Sequence, residues 1–448
     1  MTISYLSLFF RTPLFIALCS RGALAVSQLA LIIIASHGLT PIEQGVYSTM
    51  RSLAGLVVVL DLGLSLVLVQ TVAHLRGDGE SDLPSQFAAI LHFAVRWYGV
   101  AAVIGFAFLT FCGFSVLASH REMIGASATT PWMLTSLILA LTILLLPLQA
   151  VLEGKGHVVS IALLRGAQAL GGAVACGATV ALGGGLWCIP ALAAVSLTIG
   201  MIWIGCLHRQ ELLPAWHTKV LPALHWRRDI FPFQWRIGVS WISGWVIYQL
   251  YVPIIFLHEG PVAAGQFGLS MEACAGLTSL GAAWVGFKAP AWGKLVAQAD
   301  YAAIDKDYRS STRAAFLIVA LAVFLFGAGF IILHALDRPI AQRFLPPLTL
   351  APLLAAAVLN QSVFAMATYL RSHKREPYLA PTVVGAVLLG TWTLLAGPWV
   401  GVAGLAYAHL VVTLLVGWIW GRMIFLRCRT TWHINHVLSD SDKRPALS

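Results

Sequence analysis

The sequence predicts an all-α integral membrane fold of about twelve transmembrane helices in two six-helix bundles. Three observations predict it. Of 448 residues, 59% are hydrophobic and only 10% charged, whereas an average soluble chain carries about 25% charged residues. The apolar residues fall into runs of roughly 20, the length a helix needs to cross about 30 Å of hydrocarbon, and the alternating ten-residue segments of a membrane barrel are absent. The third observation is an internal repeat. A shift of 221 sets QLALIIIASHGLTPIEQGVYSTMRSLAGL (28–56) on QLYVPIIFLHEGPVAAGQFGLSMEACAGL (249–277), with Gln28 on Gln249, His37 on His258, Met50 on Met271 and Gly55 on Gly276.

In chain order, span one covers 13–36; its length and Arg21 argue against a cleaved signal peptide. Span two (46–73) holds Arg51 and Asp61, span three (87–118) Arg96, and span four is 131–152. Span five (158–182) holds Arg165, and span six is 187–207. The longest polar connection, HRQELLPAWHTKVLPALHWRRDIFPFQWR (208–236), follows and divides the halves. Span seven (236–257) carries Trp241, Trp245 and Tyr248 at helical spacing, and span eight (266–288) carries Glu272 and Trp284. The last four are 314–335, 349–370, 378–396 and 401–421. The expected domains are therefore an N-terminal bundle 1–210, a cytoplasmic basic linker 211–235, a C-terminal bundle 236–425 and a cytoplasmic tail 426–448.

Lys and Arg bias sets orientation. With both termini cytoplasmic, only Arg121, Arg338 and Arg343 fall outside. The net charge of +10 is then mostly a topology signal, and no nucleic-acid partner is needed to explain it. The seven cysteines have unrelated spacings and indicate neither a disulfide frame nor a zinc site. Histidines occur singly, so no metal site or cofactor is expected. Phosphate-binding Gly-Lys-Ser/Thr loops, His-Glu-x-x-His and nucleophile elbows are missing, which leaves hydrolytic or ATP-driven chemistry without a seat.

Even numbers of spans per half make the halves parallel repeats about an axis along the membrane normal, an architecture suited to a transporter with a cleft between two lobes. LTPIEQGVYSTMRSLAGLVVVLDLGLSLVLVQTVAHLRG resembles the start of Wzx-type polysaccharide flippases, with LQAVLEGKGHV (148–158), YRSSTR and GPWVGVAGLAYAHL (397–410) as further matches. The resemblance implies the multidrug/oligosaccharidyl-lipid/polysaccharide (MOP) exporter superfamily. It implies two bundles forming a V, as in MATE exporters, with spans 1, 2, 7 and 8 lining the cleft. The implied cargo is an undecaprenyl-diphosphate-linked oligosaccharide crossing a bacterial inner membrane. Polysaccharide polymerase and glycosyltransferases are the implied protein partners. Twelve spans rather than fourteen argue against the lipid II branch.

Ionisable groups inside spans cost about 2.5–3.5 kcal/mol on insertion scales and are functional candidates. Arg21, Arg51, Arg96 and Arg165 are candidates for the diphosphate, since guanidinium pairs with phosphate oxygens and stays charged; snorkelling to the interface is the alternative. The repeat places Arg51 opposite Glu272, which suggests an outer gate. Asp61 is either a proton or cation coupling site or a structural partner for an Arg such as Arg21 or for backbone beside Gly63. Trp241, Trp245, Tyr248 and Trp284 could stack on sugars or simply pack helices. Two other functions compete: a proton- or cation-coupled drug or metabolite antiporter of the same superfamily, and a membrane glycan polymerase or ligase. The latter lacks the long outer loop such enzymes need.

Overall fold

In the computed structural model, residues 13–77, 83–218, 226–373 and 375–442 are described, and they contain helices and no strand. Residues 219–225, in the expected linker, and 443–448, at the end of the expected tail, lie outside them. Span one is helix α1 (Pro13–Gly38). Span two is divided into α2 (Pro41–Ala54), α3 (Leu56–Asp61) and α4 (Leu64–Gly77), with a bend of 43° between Pro41–Asp61 and Leu64–Ala73. Then come α5 (Leu83–Ala118), α6 (Thr129–Ile143), α7 (Leu146–Gly154), α8 (Val158–Ala181), α9 (Cys188–Leu207) and α10 (Arg209–His217). Span seven is α11 (Phe231–Tyr248) plus α12 (Tyr251–Glu259), and span eight is α13 (Pro261–Ala297). The chain continues through α14 (Tyr301–Ala335), α15 (Pro347–Ser372), α16 (Leu379–Leu395), α17 (Gly397–Val412) and α18 (Gly421–Asp442).

Each expected span therefore lies on helix. By length and apolarity, nine helices among the described residues can cross a membrane, or ten if the bent pair counts as one. Two expected spans fall short of that measure for different reasons. Helix α13 is long but carries Gln266, Glu272, Lys288 and Lys294, while α16 is apolar but short.

Contacts divide the chain at Leu269/Ser270, inside α13, and not at the expected linker 211–235. The reason is close packing of 231–268 on α2–α4, described below. The first unit has a core around Leu64, Leu68, Ile90, Tyr98 and Ile143, so α4, α5 and α6 share one apolar seam. Helix α2 begins with a capping box: Thr40 Oγ1 accepts the Glu43 amide at 3.2 Å, and Glu43 Oε2 accepts the Thr40 amide at 2.9 Å. That reciprocal pair satisfies amides the helix leaves open.

The second unit buries Trp292, Tyr369, Leu370, Tyr378 and Phe425 together. Charged anchors hold its helix ends. Asp307 accepts Lys288 Nζ at 3.0 Å and the Trp292 indole at 2.8 Å, and Asp305 accepts Arg429 Nε at 3.0 Å and the Tyr369 hydroxyl at 2.9 Å.

Candidate functional site

The break in the second span is built by two residues with left-handed backbone. Leu62 has φ 48° and ψ 27°, and Gly63 has φ 74°. A non-glycine residue there costs roughly 1–2 kcal/mol, and a broken helix in a membrane leaves backbone groups with no water to bond. Asp61 meets the second demand. The residue is 2% exposed, and its carboxylate accepts the Ser65 amide at 3.3 Å, the Ser65 hydroxyl at 2.8 Å and the hydroxyl of fully buried Tyr98. It thus caps α4, where an anion also complements the helix dipole. These bonds run to Ser65 and to a Tyr on α5, and the Gly63 backbone also bonds the carboxylate, as the second of the two expected structural partners; Arg21, the first, lies exposed on α1. The carboxylate is held because its neighbours are hydroxyls and amides that need an acceptor.

Helix α11 seals the break from the other side. A Cβ on Gly63 would sit 2.3 Å from Ile237 Cγ2, and one on Gly238 would sit 3.1 Å from the Leu62 carbonyl oxygen.

A second break occurs at Gln249–Leu250, between α11 and α12. Its cause is legible in the chain: Pro253 has no N–H, so the Gln249 carbonyl four residues earlier loses its helical donor. Ser52 Oγ of α2 supplies one at 2.5 Å, and the Trp245 indole donates to the Ser52 carbonyl at 3.1 Å. Each chain segment thus satisfies the other, and Trp245 serves as a strut rather than an open stacking platform. Trp241 is half-buried, whereas Tyr248 and Trp284 are exposed at 45% and 44%.

Two turns earlier, α2 meets the start of α13 backbone to backbone. A Cβ on Gly45 would lie 1.8 Å from the Pro261 oxygen, and one on Gly265 would lie 2.8 Å from the Gly45 nitrogen. Small residues permit this approach, the usual basis of tight helix pairing in lipid. Arg51 sits at the edge of the seam, half-buried, with Nη1 donating to Tyr47 OH at 3.2 Å and its guanidinium 5.6 Å from that ring. Glu272 is half-buried on α13, in the second unit.

The remaining arginines diverge. Arg96 is exposed on α5, and Arg165 Nη2 is bound by Glu153 Oε2 at 2.6 Å, so α8 and the end of α7 share that charge. Sequence reasoning missed Tyr98, Ser65 and Ser52, since hydroxyl residues are common in spans; Pro253, four after Gln249, was the available signal for the last. It also missed a groove lined by Ala302, Asp305, Lys306, Arg309, Ser310 and Arg313, three of which lie in YRSSTR.

No family model and no curated protein matches the sequence. Solved structures do match the fold. An inward-facing multidrug resistance MATE transporter of the MOP superfamily has a TM-score of 0.56 at 14% identity, covering 93% of this chain and 95% of its own. A MOP superfamily transporter from Pyrococcus furiosus has 0.56 at 13%, covering 92% and 95%. The lipid II flippase MurJ, in an inward closed conformation, has 0.63 at 10%, covering 95% and 92%. The chain therefore has the all-helical MATE-like transporter fold along nearly its full length.

Proposed function

We infer that the chain is a flippase for undecaprenyl-diphosphate-linked oligosaccharides, moving them from the cytoplasmic to the periplasmic leaflet of a bacterial inner membrane by alternating access, for O-antigen, capsule or exopolysaccharide assembly. The observation that carries the reading is the whole-chain fold likeness to a lipid flippase, at a TM-score of 0.63 against 0.56 for the multidrug transporter. The balance of embedded charge agrees with it: four arginines and two acids suit an anionic cargo. A drug antiporter is the second reading, supported by the same fold in multidrug transporters.

Arg21 and Arg96, both exposed, are the proposed contacts for the diphosphate, and Arg165 drops out because Glu153 holds it. Tyr248 and Trp284 are the proposed sugar-facing rings. Asp61 enters as the latch of the helix break, not as the coupling group, since both carboxylate oxygens already accept hydrogen bonds. Arg51 and Glu272 are proposed to close the outer side as a pair.

Deleting the gene in its native strain separates the readings. Accumulated lipid-linked repeat units on the cytoplasmic side support the flippase, and drug sensitivity without them supports the antiporter. For the gate, Arg51→Glu and Glu272→Arg should each abolish transport and the double swap should restore it; a dead double swap removes the pairing.

A further inference from the structure

Residues from two distant stretches of the chain converge inside the first unit. His157 closes the turn between α7 and α8, His208 joins α9 to α10, and Glu211 lies three residues on, in the first turn of α10. His157 Nε2 is 3.0 Å from Glu211 Oε2, His208 Nδ1 is 3.7 Å from Glu211 Oε1, and one donor atom from each residue lies within 4.8 Å of the others. The two imidazole rings are 4.8 Å apart at 61°.

The surroundings of His208 separate this cluster from an ordinary ion pair. The residue is 5% exposed. Its Nε2 is 3.0 Å from Ser160 Oγ, which also accepts the Trp203 indole at 3.0 Å. Its Nδ1 is buried with no hydrogen-bond partner among the described residues. A metal-bound histidine characteristically commits one ring nitrogen to a second-sphere group and offers the other to the ion. A buried ring nitrogen with nothing to bond otherwise costs roughly 1–3 kcal/mol.

We propose that His157, His208 and Glu211 bind a divalent transition metal, Zn²⁺ by chemistry, with a fourth position open to water. Two imidazoles and a carboxylate are a ligand set Zn²⁺ accepts in tetrahedral geometry, at about 2.0–2.2 Å per bond. Ligand atoms of such a tetrahedron lie about 3.3 Å apart by that bond length, so the cluster needs only a small closure. The bound ion ties α10 to the α7–α8 turn within the first unit. The site is independent of the transported cargo.

The experiment uses the full chain in detergent, purified without a histidine tag and stripped with a chelator. Titration with Co²⁺ should give the intense visible bands of a tetrahedral ion, at one ion per chain, displaced by Zn²⁺. His157→Ala and Glu211→Gln, both at half-exposed positions, should weaken binding more than 100-fold, and Ser160→Ala should weaken it about 10- to 100-fold through the second sphere. His258→Ala, a remote histidine, should leave it unchanged. Zn²⁺ should raise the melting temperature of the wild-type and His258→Ala chains and not that of His157→Ala or Glu211→Gln, which reads the site even where a variant folds poorly. Absence of tetrahedral bands in the wild-type chain, or equal binding in His157→Ala and Glu211→Gln, overturns the proposal.

Discussion

In the first half, the span carrying Arg51 breaks at Leu62–Gly63, between α3 and α4, whereas its counterpart α13 runs without interruption through Ala282 and Trp284, the positions that the 221-residue shift aligns with Asp61 and Gly63. The reverse holds for the preceding helix of each half. Helix α1 passes straight through Gln28, while the aligned Gln249 marks the break between α11 and α12. The helices also start one residue out of the repeat, at Pro41 and Pro261. The difference teaches that a sequence repeat preserves which helices exist, and single residues decide where each one bends. Asp61 against Ala282 and Pro253 against Ile32 are enough to make the halves non-equivalent.

The strongest way to break this comparison is Asp61→Ala. It strips an acceptor from Tyr98 and from the Ser65 amide and hydroxyl in the first turn of α4, and should cost at least about 4 kcal/mol, since a hydrogen bond to a charged group is worth about 1.5–3 kcal/mol and three donors lose theirs. Thermal unfolding in detergent reads the loss; Ala282→Ser in the aligned position should stay within about 0.5 kcal/mol of the parent. A neutral Asp61→Ala would mean the break does not depend on its carboxylate.

Next in size is Gly63→Ala, at about 2 kcal/mol, from a φ of 74° combined with a clash on Ile237. Trp284→Ala, on unbroken helix, should not alter the backbone there. The contrast is measured by hydrogen exchange in α4 against α13, with faster exchange expected only in α4 of the Gly63 variant.

The smallest effect is the most discriminating. Ser52→Ala should cost about 1 kcal/mol by leaving the Gln249 carbonyl unsatisfied. In a Pro253→Ala background residue 253 regains its N–H and the cost should shrink to a few tenths. An undiminished penalty in the double variant would show that Ser52 acts through something other than the orphan carbonyl.

Much of the fold was legible because the bilayer imposes a length on every apolar run and a bias on every loop. All the expected spans are helical for that reason. The sites were read less well. Asp61 and Arg51 stood out as charges in apolar runs, but their partners Tyr98, Ser65 and Tyr47 are ordinary residues until the chain folds. The 157/208/211 cluster was invisible for a similar cause, because its histidines are 51 positions apart in the sequence and join only when α8 and α9 pack side by side.

What the sequence alone determined is therefore the one-dimensional part: which apolar runs are helical, the repeat, the place of Pro253 and the positions of the rare charges along the spans. Tertiary structure decided the pairing. Whether a lone carboxylate couples transport or caps a break depends on which donors lie within about 3 Å, and which residues belong to one unit depends on where glycine lets two backbones touch. Those are distances between segments remote in sequence, set by packing, and no local pattern encodes them.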